Sequence, residues 1–236
     1  MNIKQILATG TLCLAASAQA LVIDFTDRAI WDTNGTNTSH NYGGLTVTVS
    51  TWDKNGNSTN YNTKENFNAT PILPCASEGG YLDCESDGLG IGDDEISFGE
   101  GGKTEVERIR VSFSEAVNLD SVIFLDLFAA GANNSDPTSE VAQASSNNGG
   151  MVWTGTSMDS VGFFIGTSTN GDLNPSNIFN DVQWIDFFAD TARTPSPNNT
   201  DFALAAIKVA PVPEPSSLLL LGLGLAGLGA VRKKSA

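Results

Sequence analysis

The sequence predicts an all-β protein: an antiparallel β-sandwich, jelly-roll-like, preceded by an N-terminal signal peptide and followed by a single apolar C-terminal helix. Three observations lead there. Eight short stretches are rich in β-branched and aromatic residues and are separated by Gly, Asn, Asp, Ser and Pro. No stretch of a dozen residues carries the apolar spacing of an amphipathic helix. The two ends of the chain are apolar, whereas residues 21–213 are polar and acidic and long enough for one domain with a real core.

Taken in order, "MNIKQILATGTLCLAASAQA" (1–20) has Lys4 in a short charged head, an apolar run from Ile6 to Ala16, and a small-x-small close at Ala18-Gln19-Ala20. That is the build of a secretory signal peptide, so the mature chain is expected to start near Leu21. Cys13 follows Leu12 rather than a small residue, which argues against a lipidation site. Strands are expected at 21–25, 45–52, 106–113, 119–128, 150–155, 161–167, 182–190 and 202–210, with "DRAIWD" (27–32) as one helical turn. In the third stretch Val106, Arg108 and Arg110 alternate with Ile109, Val111 and Phe113, the pattern of a sheet surface with one wet side. Residues 53–95 and 129–149 read as long loops, and 211–217 as a Pro/Ser linker. The domain boundaries follow: signal peptide 1–20, ectodomain 21–210, tail 211–236.

Charge narrows the partners. The whole chain carries −15; without 1–20 and the tail, loss of Lys4, Arg232, Lys233 and Lys234 leaves 8 bases, and loss of Glu214 leaves 26 acids, a net −18. Such a field repels nucleic acid and anionic lipid and attracts divalent cations. Nucleic acid is therefore not an expected partner.

The tail begins at Val212-Pro213-Glu214-Pro215, continues through a Leu/Gly/Ala/Val run that includes Leu218, Leu221 and Leu225, and ends in Arg232, Lys233 and Lys234. As a helix, Leu218–Val231 spans roughly 21 Å, shorter than a ~30 Å hydrocarbon core. The basic cluster keeps its end cytoplasmic, with the body across the inner membrane. These residues resemble the PEP-CTERM sorting signal, a segment also labelled the ice-binding-protein C-terminal domain. The resemblance implies exosortase as a partner, at least transient anchoring in the inner membrane, and a destination at the cell surface or outside the cell. It covers about 25 of 236 residues and leaves the body's activity open. "GLGIGDDEI" (88–96), an E-x-I-x-V strand from Glu107 and "AVNLDSVIFLD" (116–126) are similar to ectodomains carried on such proteins, which supports the sandwich rather than an activity.

Chemistry is thinner. In an oxidising compartment Cys75 and Cys84 are expected to form a disulfide. "DCESDGLGIGDDE" (83–95) places Asp83, Glu85 and Asp87 at positions 1, 3 and 5, Gly88 at position 6, and Asp94 at position 12 with Asp93 beside it. That spacing approaches a calcium loop, without the flanking helices of an EF-hand. The alternative is a solvated acidic turn. Trp31, Trp52, Trp153, Trp184, Tyr42, Tyr61 and Tyr81 are the aromatics available to stack on sugars; Trp153 and Trp184 are expected in the core, Tyr61 and Tyr81 on the surface. His40 is the one His and no G-x-S-x-G elbow occurs, so a Ser-His-Asp enzyme is not expected. Two readings remain beside a less favoured glycoside hydrolase: a non-enzymatic module binding exopolysaccharide or matrix glycans, aided by calcium, and a purely structural surface protein.

Overall fold

The computed structural model describes residues 20–32, 34–53, 55–63, 82–92, 95–97, 106–132, 138–158, 161–172, 178–189, 201–210 and 222. The chain divides into two compact units, one Ala20–Val212 and the other Met1–Gln19 with Pro213–Ala236. The expected signal peptide up to Gln19, and all of the apolar tail but Gly222, lie outside the described residues. Among the described residues no helix is long and apolar enough to cross a membrane.

Among the described residues thirteen strands build the first unit: β1 Leu21–Asp24, β2 Ser39–Tyr42, β3 Leu45–Trp52, β4 Ser58–Thr59, β5 Tyr61–Thr63, β6 Leu89–Ile91, β7 Ile96–Ser97, β8 Arg108–Leu125, β9 Val141–Ser146, β10 Gly149–Thr154, β11 Phe164–Gly166, β12 Val182–Ala189 and β13 Asp201–Ala210. Every pairing between these strands is antiparallel. The all-β expectation holds. The "DRAIWD" stretch does form a single turn, with the Trp31 amide donating to the Asp27 carbonyl at 2.9 Å.

β8 organises the rest. The sequence suggests two strands broken near Ser114-Glu115-Ala116, but the chain stays extended for 18 residues. No Gly or Pro interrupts this stretch, and the residues beyond the break find new partners: Val117 opposite Val182, Asn118 opposite Ala210 and Leu119 opposite Val209. The first half of β8 therefore pairs with β3 and β12, in a sheet region ordered β10-β9-β12-β8-β3 with β2 and β4 beyond. Its second half pairs with β13 and β11, and β13 carries β1, β6 and β7 on its other edge. β1 begins at Leu21, opposite Val209 near the end of β13, so the two ends of this unit leave side by side.

The inner residues of both regions share one core. Phe124, from the second half of β8, packs its ring against Trp153 of β10, Phe187 of β12 and Phe202 of β13, with centroids 5.6, 5.9 and 5.2 Å away. Each of these side chains is fully buried, and edge-on aromatic packing adds about 0.5–1.5 kcal/mol per pair beyond area burial.

Two expectations need correction. β9 falls inside 129–149, read as loop because "VAQASS" is poor in β-branched residues. Ala142 and Ala144 are nevertheless buried there, small enough to let β9 lie between β10 and β12. The expected loop 53–95 likewise contains β4, β5 and β6, too short to announce themselves by periodicity.

Candidate functional site

The acidic stretch is the first place to look, and its described part is mostly tied inward. Asp24, at the end of β1, accepts from the Asp83 amide at 2.6 Å and from the Thr26 amide and hydroxyl at 2.8 and 2.6 Å. Burial pushes the Asp24 carboxyl above its ordinary range, and these hydrogen bonds oppose the rise. The Thr26 hydroxyl accepts from the Cys84 amide at 2.9 Å, and the Thr26 carbonyl accepts from the Ser86 hydroxyl at 3.3 Å. Glu85 is exposed and accepts from the Arg28 amide at 3.2 Å, Asp83 is exposed, and Asp87 is buried.

Gly88 has its own reason to be Gly. Its φ is +110°, and a Cβ there would lie 2.4 Å from the Leu204 carbonyl oxygen, so only Gly lets the chain cross β13. Among the described residues no group of three or more His, Cys, Asp or Glu converges to hold a metal ion. Asp93, Asp94 and Cys75 lie outside the described residues.

The aromatics sort differently from expectation. Tyr61 is buried, its hydroxyl donating to the Asn37 carbonyl at 2.7 Å, because β5 turns it in against Trp31. Trp153 is buried as expected, with its indole N–H on the Thr167 carbonyl. Trp31 is buried and donates to the hydroxyl of half-buried Tyr42. Tyr81 lies outside the described residues. Trp52 and Trp184 are half-buried, and among the described residues they mark a broad face where aromatic rings meet charge.

That face is the outer side of the β3-β8-β12-β9 region. Strand alternation sends Val49, Ile109, Val111, Ile185 and Phe187 into the core and their neighbours outward. Register then aligns the outward residues in rows across the strands: Trp52, Arg108, Phe188 and Gln143 in one, and Ser50, Arg110, Asp186 and Ser145 in the next. Trp184 and Ser112 follow in a third.

The charges on this face are unequal partners. Arg110 grips Asp186 with both ends of its fork, Nε to Oδ1 at 2.6 Å and Nη2 to Oδ2 at 2.8 Å, and stacks 4.1 Å above the Trp184 ring. Asp186 is 6% exposed and Arg110 32%. The hydrogen-bonded carboxylate raises the Arg110 pKa against the opposing effect of burial. Arg108 stacks 4.2 Å above Trp52, is 40% exposed, and reaches Asp186 only at 3.6 Å. Between these rows lies a hollow of about 490 Å³, lined by Trp52, Val106, Arg108, Ser145, Asp186, Phe188 and Gly56. Gly56 belongs to a tight turn in which the Asp53 carboxylate accepts from the Asn55 and Asn57 amides at 2.9 and 2.8 Å. Such a hollow offers an aromatic wall, guanidinium donors and a hydroxyl, and its size is that of a small-ligand site, ~300–1,000 Å³.

A second buried polar group sits apart from it. Glu140 is buried, accepts from the Phe128 amide at 2.5 Å, and shares a hydrogen bond with Asp201 near Asp126. Burial, with the charge of Asp201 next, pushes the Glu140 carboxyl far above the usual carboxylate range. Two carboxyls in direct hydrogen bond are closer than the roughly 5–10 Å that glycoside hydrolysis needs.

Sequence reasoning passed over Arg108, Asp186 and Phe188 as a group. The signal was present as period-2 spacing: Arg108 and Arg110 on one strand, Trp184, Asp186 and Phe188 on another, Ser50 and Trp52 on a third. What joins them is register, which three separate stretches of sequence do not state.

No curated protein and no solved structure matches the chain. The family described as the PEP-CTERM protein-sorting motif matches residues 211–234, the segment that holds Val212–Pro215, the Leu/Gly run and Arg232–Lys234. The chain thus carries a PEP-CTERM sorting motif at 211–234, the kind of signal exosortase recognises, which implies export with a membrane-anchored sorting signal.

Proposed function

We propose that this protein is a non-enzymatic glycan-binding module, a jelly-roll-like β-sandwich held at the inner membrane by its tail and then delivered to the cell surface or extracellular matrix. Its ligand is exopolysaccharide or another matrix glycan. The observation that carries the reading is the row Trp52–Arg108–Phe188 bordering an open hollow of about 490 Å³ on a sheet face. Aromatic rings supply an apolar platform for a sugar ring, and Arg108 with Ser145 supplies hydrogen bonds to its hydroxyls. Asp186 serves as a strut for Arg110 rather than as an acid or base, since both of its oxygens are engaged. Calcium and a Cys75–Cys84 disulfide belong to the loop around Asp83, away from the face, as stabilisers of that loop. EDTA or a reductant is then expected to lower Tm without changing glycan affinity.

The test is titration of the full chain, kept soluble in a polyoxyethylene detergent that offers no sugar of its own, with host exopolysaccharide fragments. Saturable binding lost in Trp52→Ala is the expected result. One observation favours the purely structural reading: the Arg108 guanidinium already covers one face of Trp52. Absence of saturable binding would select that reading.

A further inference from the structure

We infer that the face selects an acidic saccharide, a pyranose bearing a carboxylate, and that Arg108 is the group that receives it. This rests on the glycan-binding reading and narrows it to a substrate class. Among the described residues the face carries two guanidinium groups and one carboxylate. Arg110 takes both oxygens of Asp186 in a bidentate fork at 2.6 and 2.8 Å. Arg108 stands 3.6 Å from one of those oxygens, beyond ordinary hydrogen-bonding distance. The positive charge left over on the face is therefore that of Arg108.

Its stacking leaves the right part open. With its Cζ 4.2 Å over the Trp52 ring centroid, the guanidinium rests on the indole through its charge and still has in-plane N–H donors to offer another partner. That planar edge matches a carboxylate, which it binds through two parallel hydrogen bonds. Arg108 is 40% exposed and lines the hollow beside Phe188, so a sugar ring seated there brings a ring carboxylate to the guanidinium.

The neighbouring acids do not cancel it. Glu107, one residue before Arg108, is buried on the opposite side of the strand and accepts from the Ser97 amide and hydroxyl at 2.9 Å. Asp53, one residue after Trp52, turns its carboxylate back onto the amides of its own loop. Among the described residues the hollow is thus a cationic spot on a chain whose net charge is −15. A short acidic oligosaccharide meets the spot, while a long polyanion also meets the surrounding negative field, which is screened over about 8 Å at 0.15 M salt.

The experiment uses the full chain in polyoxyethylene detergent at 0.15 M salt, titrated calorimetrically with trimers of galacturonate and of mannuronate, with maltotriose and with triglutamate. A uronate trimer is expected to bind about tenfold or more tightly than maltotriose, the scale of one charge-assisted contact. Arg108→Gln should bring that ratio to about one with Tm nearly unchanged, and Arg108→Lys, which keeps the charge but not the fork, should fall between. Maltotriose binding as tightly as both uronates, or uronate affinity surviving Arg108→Gln, overturns the inference and leaves the glycan-binding reading standing. Triglutamate binding as well as the better uronate also overturns it, since charge alone would then be read. Failure of all three sugars overturns both.

Discussion

The stretch from Leu82 to Gly92 and the outer face of the β3-β8-β12-β9 region are both crowded with polar groups, and they use them in opposite ways. In the first, backbone amides and hydroxyls turn back onto Asp24 and Thr26, and Gly88 lets the chain cross β13. In the second, one ion pair is closed and a neighbouring guanidinium is left over an open hollow. Charge density in a sequence therefore does not mark a binding site. What marks it is a group whose bonding capacity the fold leaves partly unused.

The largest expected effect breaks the closed ion pair. Arg110→Ala strands Asp186, 6% exposed, with only the distant Arg108, and losing one partner of a buried pair costs about 3 kcal/mol. Asp186→Ala should cost less, because Arg110 is a third exposed and can turn to water. Urea unfolding of both variants measures the difference. Equal losses would mean that burial of the carboxylate is not what matters.

Next comes the closed region. Gly88→Ala puts a Cβ at φ +110° and 2.4 Å from the Leu204 carbonyl, a strain of about 2 kcal/mol. Stability should fall by that amount in the same unfolding assay while glycan affinity stays constant. A loss of affinity instead would tie the acidic loop to the binding face.

How far these regions could be read beforehand differs for physical reasons. Strands such as Leu45–Trp52 and Asp201–Ala210 were legible to within a residue because their alternation or apolar run is long. Gly88 was noticed as the turn of the acidic loop, but its close approach to Leu204 was not, since that is a contact across more than a hundred residues. Tyr61 looked like loop and is core, because two- and three-residue strands carry no period. The Trp52–Arg108–Phe188 row needs the register of three strands and the continuity of β8, neither of which is local information.

A smaller effect should appear with pH. Glu140 titrates above the ordinary carboxylate range when folded and within it when unfolded, so the native state holds the extra proton between the two. The resulting stability is full below the ordinary carboxylate range and is lost as pH rises toward the raised value. Glu140→Gln keeps an acceptor for the Phe128 amide and a permanent donor for Asp201. It should flatten that decline and stabilise the protein at pH 8 by about 1.5–3 kcal/mol, the scale of a hydrogen bond to a charged group. Denaturant midpoints at pH 5 and pH 8 for both chains measure it, and parallel declines would remove Glu140 as the source.

The smallest expected change in stability is the most informative for the comparison. Arg108 contributes one half-exposed ion pair at 3.6 Å and one stack on Trp52, together worth about 1 kcal/mol or less. Arg108→Gln should therefore unfold within about 1 kcal/mol of the parent. Thr26→Val, nearly identical in shape, removes an oxygen that serves both Asp24 and the Cys84 amide in a fully buried place, and should cost about 2 kcal/mol. A charged residue that the fold scarcely needs, set beside a hydroxyl it needs badly, separates what faces a ligand from what holds the chain. If Arg108→Gln proves the costlier of the two, its stack on Trp52 is a structural clasp, and the open face is closed in the same sense as the acidic loop.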